Sequence, residues 1–411
     1  MRVKKPLSTL SRTFASLQYP NYRLWFYGQI VSLFGTWMQN TAQGFLIYEL
    51  TRSPAYLGYV GFASGAPSWF FMLIGGVVTD RVHIRKLLVI TQSSMMVLAF
   101  TLALLTFTGI VQPWHIIVLA FLLGITNAFD APARLAFAPE LVDREDLTNA
   151  IALNATMFNT AAIVGPAAAG LIYALVGPAW CFAINGFSFI AVISALSLMH
   201  LPDWISKVRT SSAFSELKEG IRYVFSNRII RNLIGLIGIE AMFGFSFVVL
   251  LPVWAVEVLG GDVRTNGLLN SARGLGALIG ALTIASLGRF KYRGKLLTLG
   301  TLLFPLLLAA FSFARVIPVS MILIAGAGGA LVLILNLANS LVQTHVTDNL
   351  RGRVMGIYSL VFFGSVPLGA LLIGQLAEIL NSPGAVLAGC IILFIFAVGM
   401  MIFSPKIRLL E

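Results

Sequence analysis

Charged residues are scarce in this chain. Asp, Glu, Lys and Arg make up 11% of its 411 residues, whereas 58% are hydrophobic, and the mean hydropathy is +0.89. A soluble globular domain carries about 25% charged residues and cannot cover so much apolar surface. The composition therefore excludes a soluble protein and predicts an integral membrane protein.

The residues of common catalytic and cofactor sites are also few. Cys181 and Cys390 are the 2 cysteines, and neither has the spacing of a metal site or a disulfide framework. The stretch 288–295 departs from a phosphate-binding loop, because five residues separate its glycines and Leu296 stands where Ser or Thr is required. No nucleophile–base pair is evident either, so we expect no enzyme activity, no cofactor and no metal.

Long apolar runs dominate the sequence instead. About 20 helical residues cross ~30 Å of hydrocarbon, and the sequence contains twelve runs suited to this. They span 22–50, 55–79, 87–109, 114–137, 148–176, 179–200, 229–259, 265–288, 296–314, 317–344, 354–378 and 384–404. We predict an all-α integral membrane fold with twelve transmembrane helices.

Positive charge indicates how these helices are oriented. The net charge of +12 would by itself also fit a nucleic-acid-binding protein. With a cytoplasmic N-terminus, however, every Lys and Arg except Arg52, Arg264, Arg273 and Arg315 falls on the cytoplasmic side, as the positive-inside rule requires. We therefore expect a lipid bilayer rather than nucleic acid as the partner of this charge, with both termini cytoplasmic.

The chain contains an internal repeat with a constant shift of 209 residues. Gly58 and Gly65 align with Gly267 and Gly274, and residues 86–88 align with 295–297. Two six-helix bundles in the same orientation place a substrate site near the midplane between them. The predicted units are an N-terminal segment 1–21, a first bundle 22–200, a linker 201–228, a second bundle 229–404 and a tail 405–411.

Two segments outside the bundles have helical periodicity. The linker alternates apolar and charged residues between Phe214 and Phe225, which predicts an amphipathic cytoplasmic helix. The N-terminal segment, with Leu7, Leu10 and Phe14 at helical spacing, fits either a helix on the inner leaflet or a disordered tail.

A short charged loop follows the second apolar run. It contains Gly76, Asp80, Arg81, Arg85 and Lys86. Because a carboxylate at the C-terminal end of a helix is unfavourable for that helix's dipole, Asp80 either needs a partner elsewhere or is a solvated loop charge. The equivalent loop of the second half, at 288–295, keeps the basic residues but has no acidic one.

This loop resembles the one between helices 2 and 3 of the major facilitator superfamily of transporters. The resemblance implies that Asp80 joins the two bundles when the cytoplasmic mouth is closed, with Arg351 and Arg353 at the start of helix 11 as partners. His83 and Ile84 depart from the usual pattern, in which a glycine and a basic residue stand there. Asp130 and Arg134, which can pair four residues apart on one helix face, are interpreted as part of the same inner gate.

Other stretches are similar to one branch of that superfamily. Residues 29–54, 127–142 and 351–358 resemble the enterobactin-exporter and macrolide-efflux branch, which implies a bacterial inner-membrane exporter driven by the proton gradient. Gly165, Pro166 and Gly170 resemble a glycine–proline signature of superfamily exporters. Small residues are also ordinary helix-packing material, so packing alone remains the alternative for these three.

Neutral polar residues form stripes on two of the apolar runs. They are Gln29, Thr36, Gln39, Asn40 and Gln43 in the first run, and Asn336, Asn339 and Gln343 in the tenth. Such stripes face either a wet cavity or another helix, because lipid would leave their amides unpaired. With Trp37 and several phenylalanines they predict a cavity for an amphiphilic organic molecule, although interhelical packing explains individual members equally well.

Ionisable residues within the apolar runs are rare and therefore informative. Glu240 lies near the middle of the seventh run and Arg273 lies in the eighth, so the two could approach each other. One interpretation is a structural ion pair, and the other is a carboxylate that takes up a proton or a cationic substrate. The arginine that many proton-linked drug exporters carry in helix 4 is absent, since Ala120 stands at its expected place.

Together these features predict a monomeric exporter of an amphiphilic small molecule, such as a siderophore or a macrolide, with protons as the coupling ion. The alternatives are an importer or lipid translocator of the same fold, and a membrane sensor or scaffold that transports nothing.

Overall fold

The computed structural model describes residues 13–201, 213–288 and 291–410, apart from the side chains of residues 73, 80 and 213–217. The long helices that these residues form, and the shorter ones that continue or connect them, are numbered α1 to α13 in chain order. They are α1 (Pro20–Thr51), α2 (Pro54–Gly65), α3 (Pro67–Arg81), α4 (Ile84–Phe107), α5 (Pro113–Phe137), α6 (Leu147–Val176), α7 (Pro178–Leu198), α8 (Ala213–Ser226), α9 (Arg228–Val258), α10 (Val263–Leu287), α11 (Arg293–Phe313), α12 (Ile317–His345) and α13 (Asp348–Phe403).

The boundaries of these helices follow from local chemistry. Proline occupies the first helical position of α1, α5 and α7, where its missing N–H would be unpaired in any case. Asn227 caps α9 by accepting from the backbone N–H groups of Ile229 and Ile230, and Asp262 caps α10 in the same way. Gly177, at a φ of 93°, turns the chain from α6 into α7.

Twelve membrane crossings are confirmed. Among the described residues, nine helices are long and apolar enough to cross a membrane, and α13 provides two crossings because Asn381 breaks it at a φ of 64°. The second crossing is divided into α2 and α3 at Ala66. The remaining crossing is α1, whose amides lower its mean hydropathy.

Helix α9 is irregular where it passes the centre of the molecule. It changes to π-helix at Glu240–Phe245, to a 3₁₀ turn at Ser246–Leu250 and again to π-helix at Trp254–Val258. Such π-helical turns inside α-helices often occur at functional sites.

The two halves of the molecule, α1–α7 and α9–α13, meet along two pairs of helices: α2 packs on α13, and α6 packs on α10. Glycine permits both approaches, because a Cβ on Gly58 would lie 2.7 Å from the Ala370 carbonyl oxygen and one on Gly267 would lie 2.5 Å from that of Pro166. Gly58 and Gly267 are equivalent in the 209-residue repeat. The repeat therefore places the same small residue at both contacts.

The two ends of the bundle differ. We call the end that holds residues 13–19 and 405–410 the terminal face, and the end that holds Arg52 and Asp262 the far face. At the terminal face, the hydroxyl of Tyr19 donates to Asp143 (3.1 Å) and Asp146 (2.8 Å), and Ser16 Oγ donates to the Asp146 carbonyl. Desolvation and these two carboxylates raise the pKa of Tyr19 to about 12, so its hydroxyl remains a donor at neutral pH.

The predicted amphipathic helices are described only in part. Residues 1–12 and 202–212 lie outside the described residues, so the prediction for the N-terminal segment is not tested there. The linker does form a helix, α8. It packs against the start of α13, where Glu219 Oε1 lies 2.6 Å from Arg353 Nη1.

Candidate functional site

A cavity of about 380 Å³ lies between the two halves. Its wall is built from α1, α2 and α5 of the first half and from α9 and α10 of the second. The polar lining residues are Asn40, Thr41, Gln43, Ser64, Asn127, Asn266, Asn270 and Arg273. Trp37, Leu57, Val248 and Val249 supply apolar surface, so the cavity combines apolar walls with a few convergent polar groups, as small-molecule sites do.

Arg273 is the one cationic lining residue of this cavity, and none of the described lining residues is acidic. Its Nε is buried without a hydrogen-bond partner, and its guanidinium carbon lies 6.0 Å from the centroid of the Phe245 ring. The aromatic face provides some stabilisation but does not neutralise the charge.

The suggested approach of Glu240 to Arg273 is not made. Glu240 is 2% exposed and lies in the core of the second half, where a Cβ on Gly244 would approach its Oε2 to 2.7 Å and the Phe304 ring to 2.8 Å. Within the described part of the chain no salt bridge involves Glu240, and its Oε2 has no hydrogen-bond partner. Because Glu240 and Arg273 lie on different helices, α9 and α10, only the packing of these helices could decide which way the carboxylate faces.

Two amides on α10, those of Asn266 and Asn270, were missed from the sequence, although they accompany the predicted cavity residue Arg273. Asn266, Asn270 and Arg273 follow at intervals of four and three residues and so share one helix face, which is the spacing that could have found them. Asn270 Nδ2 donates to the Oδ1 of Asn266 (3.2 Å) and to its carbonyl (3.1 Å). Asn266 Nδ2 is then left buried without a partner.

The stripe on α1 divides between cavity and packing. Asn40 and Gln43 line the cavity, as predicted. Gln39 instead accepts a 2.7 Å hydrogen bond from Asn185 of α7, and Thr36 donates to the Ser32 carbonyl of its own helix. Neither residue is part of the described lining of this cavity, because the Gln39 side chain is directed at α7 and the Thr36 hydroxyl at the backbone of α1.

The stripe on α12 does not reach the cavity. Asn336, Asn339 and Gln343 are absent from its lining, and Gln343 Nε2 donates to Asn339 Oδ1 at 2.5 Å. The carbonyl of Gln343 also accepts from Arg351, which places this end of the stripe at the terminal face.

A second cavity of about 460 Å³ lies inside the first half, towards the terminal face. Gln29, Arg134 and Asn154 are its polar lining residues, and the wall is otherwise mainly apolar. Phe158 of this cavity packs edge-to-face on Trp37 of the first cavity, with ring centroids 5.5 Å apart. The two cavities therefore meet at this aromatic pair.

The predicted pair Asp130 and Arg134 is formed, with Asp130 Oδ2 2.6 Å from Arg134 Nε. Asp130 is fully buried and also accepts from Thr91 (2.8 Å) and Gln92 (2.9 Å) of α4. This carboxylate thus joins α4 to α5, whatever part it has in gating.

The residues of the charged loop lie at the end of α3 and the start of α4. The side chain of Asp80 lies outside the described residues, so its predicted contact is not tested. Arg81 and Lys86 are exposed, and Arg85 donates to the Ser197 carbonyl of α7. Gly76 has open space beside it, whereas a Cβ on Gly75 would lie 2.3 Å from the Ala128 carbonyl, so Gly75 is the residue that permits close packing here.

Both arginines expected to receive Asp80 have carboxylate partners among the described residues. Arg353 pairs with Glu219 of the linker helix α8, and Arg351 lies 2.5 Å from Asp348 of its own helix. The predicted contact of these arginines with Asp80 stays a prediction.

The glycine–proline motif lies where α6 contacts two neighbours. A Cβ on Gly165 would lie 2.6 Å from that of Trp37 in α1, and one on Gly170 would lie 2.9 Å from the Arg264 backbone in α10. The Pro166 carbonyl faces Gly267. This motif brings α6 close to both a cavity-lining helix and the other half.

Hydrogen bonds join the two halves at the far face. The hydroxyl of Tyr48 donates to Glu257 (2.6 Å), and Glu378 accepts from Ser53 Oγ (2.7 Å) and from the Ala55 N–H (3.3 Å). The sequence around Glu257 and Glu378 does not predict these bonds, because the side-chain partners lie more than 200 residues away in the chain.

Comparison with known proteins adds a family and a fold. The model of the transmembrane secretion effector family matches residues 11–409. The chain is 26% identical over 360 residues to the staphyloferrin A transporter of Staphylococcus aureus, covering 87% of this chain and 89% of that protein. It is 26% identical to the multidrug efflux pump Tap of Mycolicibacterium fortuitum (89% and 91% covered) and 25% identical to the enterobactin exporter EntS of Salmonella choleraesuis (88% and 87% covered).

Solved structures show the same architecture at low sequence identity. The nucleoside transporter NupG superposes with a TM-score of 0.72 at 16% identity, covering 94% of this chain and 99% of that one. A bacterial homologue of the lysosomal transporter Spinster, inward-facing and occupied, gives a TM-score of 0.72 at 13% identity, with 95% and 98% covered. These likenesses establish the fold.

Proposed function

Because the chain belongs to the transmembrane secretion effector family of the major facilitator superfamily, we propose that it exports an amphiphilic small organic molecule by alternating access. The observation that carries the proposal is the cavity between the halves, to which both contribute polar side chains. A site at the interface of two repeats can be exposed to either face when the halves rock against each other.

The far-face hydrogen bonds support alternating access. Tyr48 with Glu257 and Ser53 with Glu378 join the halves at that face, while at the terminal face Arg351 pairs with Asp348 and Arg353 with Glu219 of α8. We propose that this arrangement corresponds to a carrier closed to the far side. In the opposite state we propose that these bonds break and that Asp80, with Gly76, Arg81, Arg85 and Lys86 around it, contacts the start of α13.

The direction of transport is proposed from charge and from the relatives. The distribution of positive residues favours a cytoplasmic terminal face, and two of the similar proteins are named as an efflux pump and an exporter. We therefore propose a bacterial inner-membrane exporter that acts as a monomer, since a single chain forms the entire cavity wall.

Protons are proposed as the coupling ion, with Glu240 as the acceptor. A carboxylate within the membrane region is costly and usually functional, and Glu240 lies in the π-helical part of α9, one turn before the cavity-lining 3₁₀ segment. Movement of α9 during the transport cycle would change its surroundings.

Flux in inside-out vesicles with an imposed proton gradient tests the proposal. A panel of fluorescent anionic, neutral and cationic amphiphiles should reveal at least one compound that accumulates and is released by an uncoupler. Asp80→Asn and Glu240→Gln should each reduce this flux by about tenfold or more, whereas Asp348→Asn, which alters an exposed carboxylate, should not.

The outcomes separate the alternatives. Gradient-driven flux in the opposite direction would indicate an importer, and movement of labelled lipid alone would indicate a lipid translocator. If both Asp80→Asn and Glu240→Gln keep full flux, the proposed gate and the proposed coupling are wrong. If no compound of the panel moves in wild-type vesicles, export itself is not supported.

A further inference from the structure

We infer that the cavity between the halves binds its ligand through an anionic oxygen group, a carboxylate or similar oxyanion, held by Arg273 and Asn266, with Asn270 orienting the Asn266 amide. This rests on the proposed transport function and specifies the chemical class of the transported molecule. The remainder of the ligand would be apolar and would lie against Trp37, Val248 and Val249.

The first argument is charge. A cation within the membrane region is unfavourable by several kcal/mol unless it is paired. Arg273 has no salt bridge within the described part of the chain, its Nε has no hydrogen-bond partner, and the described cavity lining contains no carboxylate. Glu240, the other ionisable residue of this region, lies against Gly244 and Phe304 instead. A bound anion would supply the missing counter-charge.

The second argument is the set of free donors. The bond from Asn270 to Asn266 Oδ1 orients the Asn266 amide, so that its buried Nδ2 has no partner. Buried donors are normally paired, and leaving one unpaired costs about 1–3 kcal/mol. Asn266 Nδ2 and the Arg273 guanidinium lie on one face of α10 and both require an acceptor, which a carboxylate provides with its two oxygens.

The third argument is the difference between the two halves. The first half contributes the neutral amides of Asn40, Gln43 and Asn127, which can donate or accept. The cation comes from the second half alone. An elongated molecule with an anionic end and a neutral polar end therefore fits the cavity in one orientation, with its acidic end towards α10.

Binding to purified protein in detergent tests the charge preference with three probes of similar size: 2-naphthoate, 2-naphthamide and 2-naphthylmethylamine. We expect naphthoate to bind at least about tenfold more tightly than the other two, as judged by quenching of tryptophan fluorescence, since a charge-assisted hydrogen bond contributes about 1.5–3 kcal/mol. Arg273→Gln should abolish this preference, and Arg273→Lys should keep part of it. Arg315→Gln, the same substitution at the far face, should leave it unchanged.

Thermal unfolding distinguishes a binding role from a structural one. If Arg273 is an unpaired charge awaiting a ligand, the ligand-free Arg273→Gln protein should unfold at the same or a higher temperature than the wild type. A purely structural arginine predicts a lower unfolding temperature. Equal binding of the three probes, absence of naphthoate binding, or undiminished binding to Arg273→Gln would each overturn the inference.

Two further measurements are needed. One distinguishes a lipid phosphate from a free organic anion as the ligand, and the other tests the anion preference separately from export. Repeating the titration in phosphatidylcholine vesicles with and without phosphatidylglycerol shows whether a lipid phosphate occupies the site, because the anionic lipid would then compete with naphthoate. If wild-type vesicles export only cationic or neutral members of the amphiphile panel, the inference fails while export stands. If no compound of the panel is moved, the export proposal fails, whatever the binding measurements show.

Discussion

At the scale of single residues, the buried carboxylates of this protein have different surroundings that the sequence could not distinguish. Asp130 is surrounded by donors from Thr91, Gln92 and Arg134. Glu240 is enclosed by Gly244 and Phe304 and keeps one oxygen unpaired. The first is suited to holding helices together, and the second to changing its state during a cycle.

Replacing Asp130 should be among the most destabilising single changes. Asp130→Asn removes the charged partner of Arg134 and replaces one carboxylate oxygen, which only accepts, by an amide group that must donate. We expect the free energy of unfolding to fall by about 3 kcal/mol, the lower end of the range for a broken buried ion pair. Thermal unfolding in detergent measures it. Asp348→Asn, whose carboxylate is exposed, should change the unfolding temperature little; a comparable effect of both variants would contradict the assignment.

At the scale of helices, the contacts between the halves depend on glycines where backbones approach closely. The Ala substitution at Gly58 or Gly267 places a methyl group 2.7 Å or 2.5 Å from a carbonyl oxygen of the other half. Because that distance is too short for a carbon atom, the helices must separate. Gly356 of α13 has open space beside it and provides a matched control.

We therefore expect Gly58→Ala and Gly267→Ala to reduce flux and to shift the population away from the far-face-closed state, while Gly356→Ala leaves both unchanged. Distances between spin labels placed across the far face would report the shift. If all three variants behave alike, close glycine packing is not what holds the halves together there.

The linker helix α8 provides a second prediction at this scale. Its Glu219 pairs with Arg353, and this pair competes for the guanidinium with the proposed gate contact to Asp80. Glu219→Gln should release Arg353 and favour closure of the terminal face, by no more than about 1 kcal/mol for so exposed a pair.

A double-mutant cycle tests this competition. The effect of Glu219→Gln on terminal-face closure should disappear in an Asp80→Asn background, because the carboxylate that would bind the released Arg353 is then absent. An unchanged effect in that background would show that Glu219 acts independently of Asp80.

At the scale of the whole molecule, the far-face hydrogen bonds are expected to set the balance between the two states of the proposed transport cycle. Tyr48→Phe and Glu378→Gln each weaken bonding between the halves while changing little volume. With about 1–1.5 kcal/mol lost per bond, each variant should shift the equilibrium towards the far-face-open state by about five- to tenfold.

Accessibility of a cavity cysteine measures that shift. Val249→Cys, which lines the cavity, should react faster with a membrane-impermeant reagent added at the far face when combined with Tyr48→Phe. Thr108→Ala, at the same face but bonded to the Leu104 and Leu105 carbonyls of α4, serves as the control. Equal labelling rates in Val249→Cys alone, in its combination with Tyr48→Phe and in its combination with the control substitution would show that these bonds do not close the far face.

The composition and the pattern of apolar runs predicted the fold well, because crossing a membrane is a local requirement. Twenty apolar residues form a helix that satisfies its own backbone, so runs such as 87–109 and 179–200 could be identified without knowing their neighbours. The division of α13 into two crossings was also predicted, since Asn381 and Pro383 interrupt the run.

The site was predicted less well, because it depends on the rotation of each helix about its axis. Asn40 and Gln43 reach the cavity, whereas Gln39, adjacent to Asn40 in the sequence, faces Asn185. The polar stripe covers a wide arc of α1, and the sequence alone does not show which of its members face the cavity and which face α7. Asn266 and Asn270 were overlooked because α10 starts at the far face, where polar residues need no explanation.

The sequence by itself determined that the chain is a membrane protein of twelve helices in two related halves, and its charges determined the proposed orientation. These properties are sums over local segments, which neighbouring helices do not alter. Only the tertiary structure decided that Arg273 stands without a carboxylate among the described residues lining the cavity between the halves, that Glu240 does not accompany it, and that Glu257 and Glu378 bond to the first half at the far face. Whether two such side chains meet depends on contacts between residues far apart in the chain but at the same depth of the membrane. Only the packing of the helices determines these contacts.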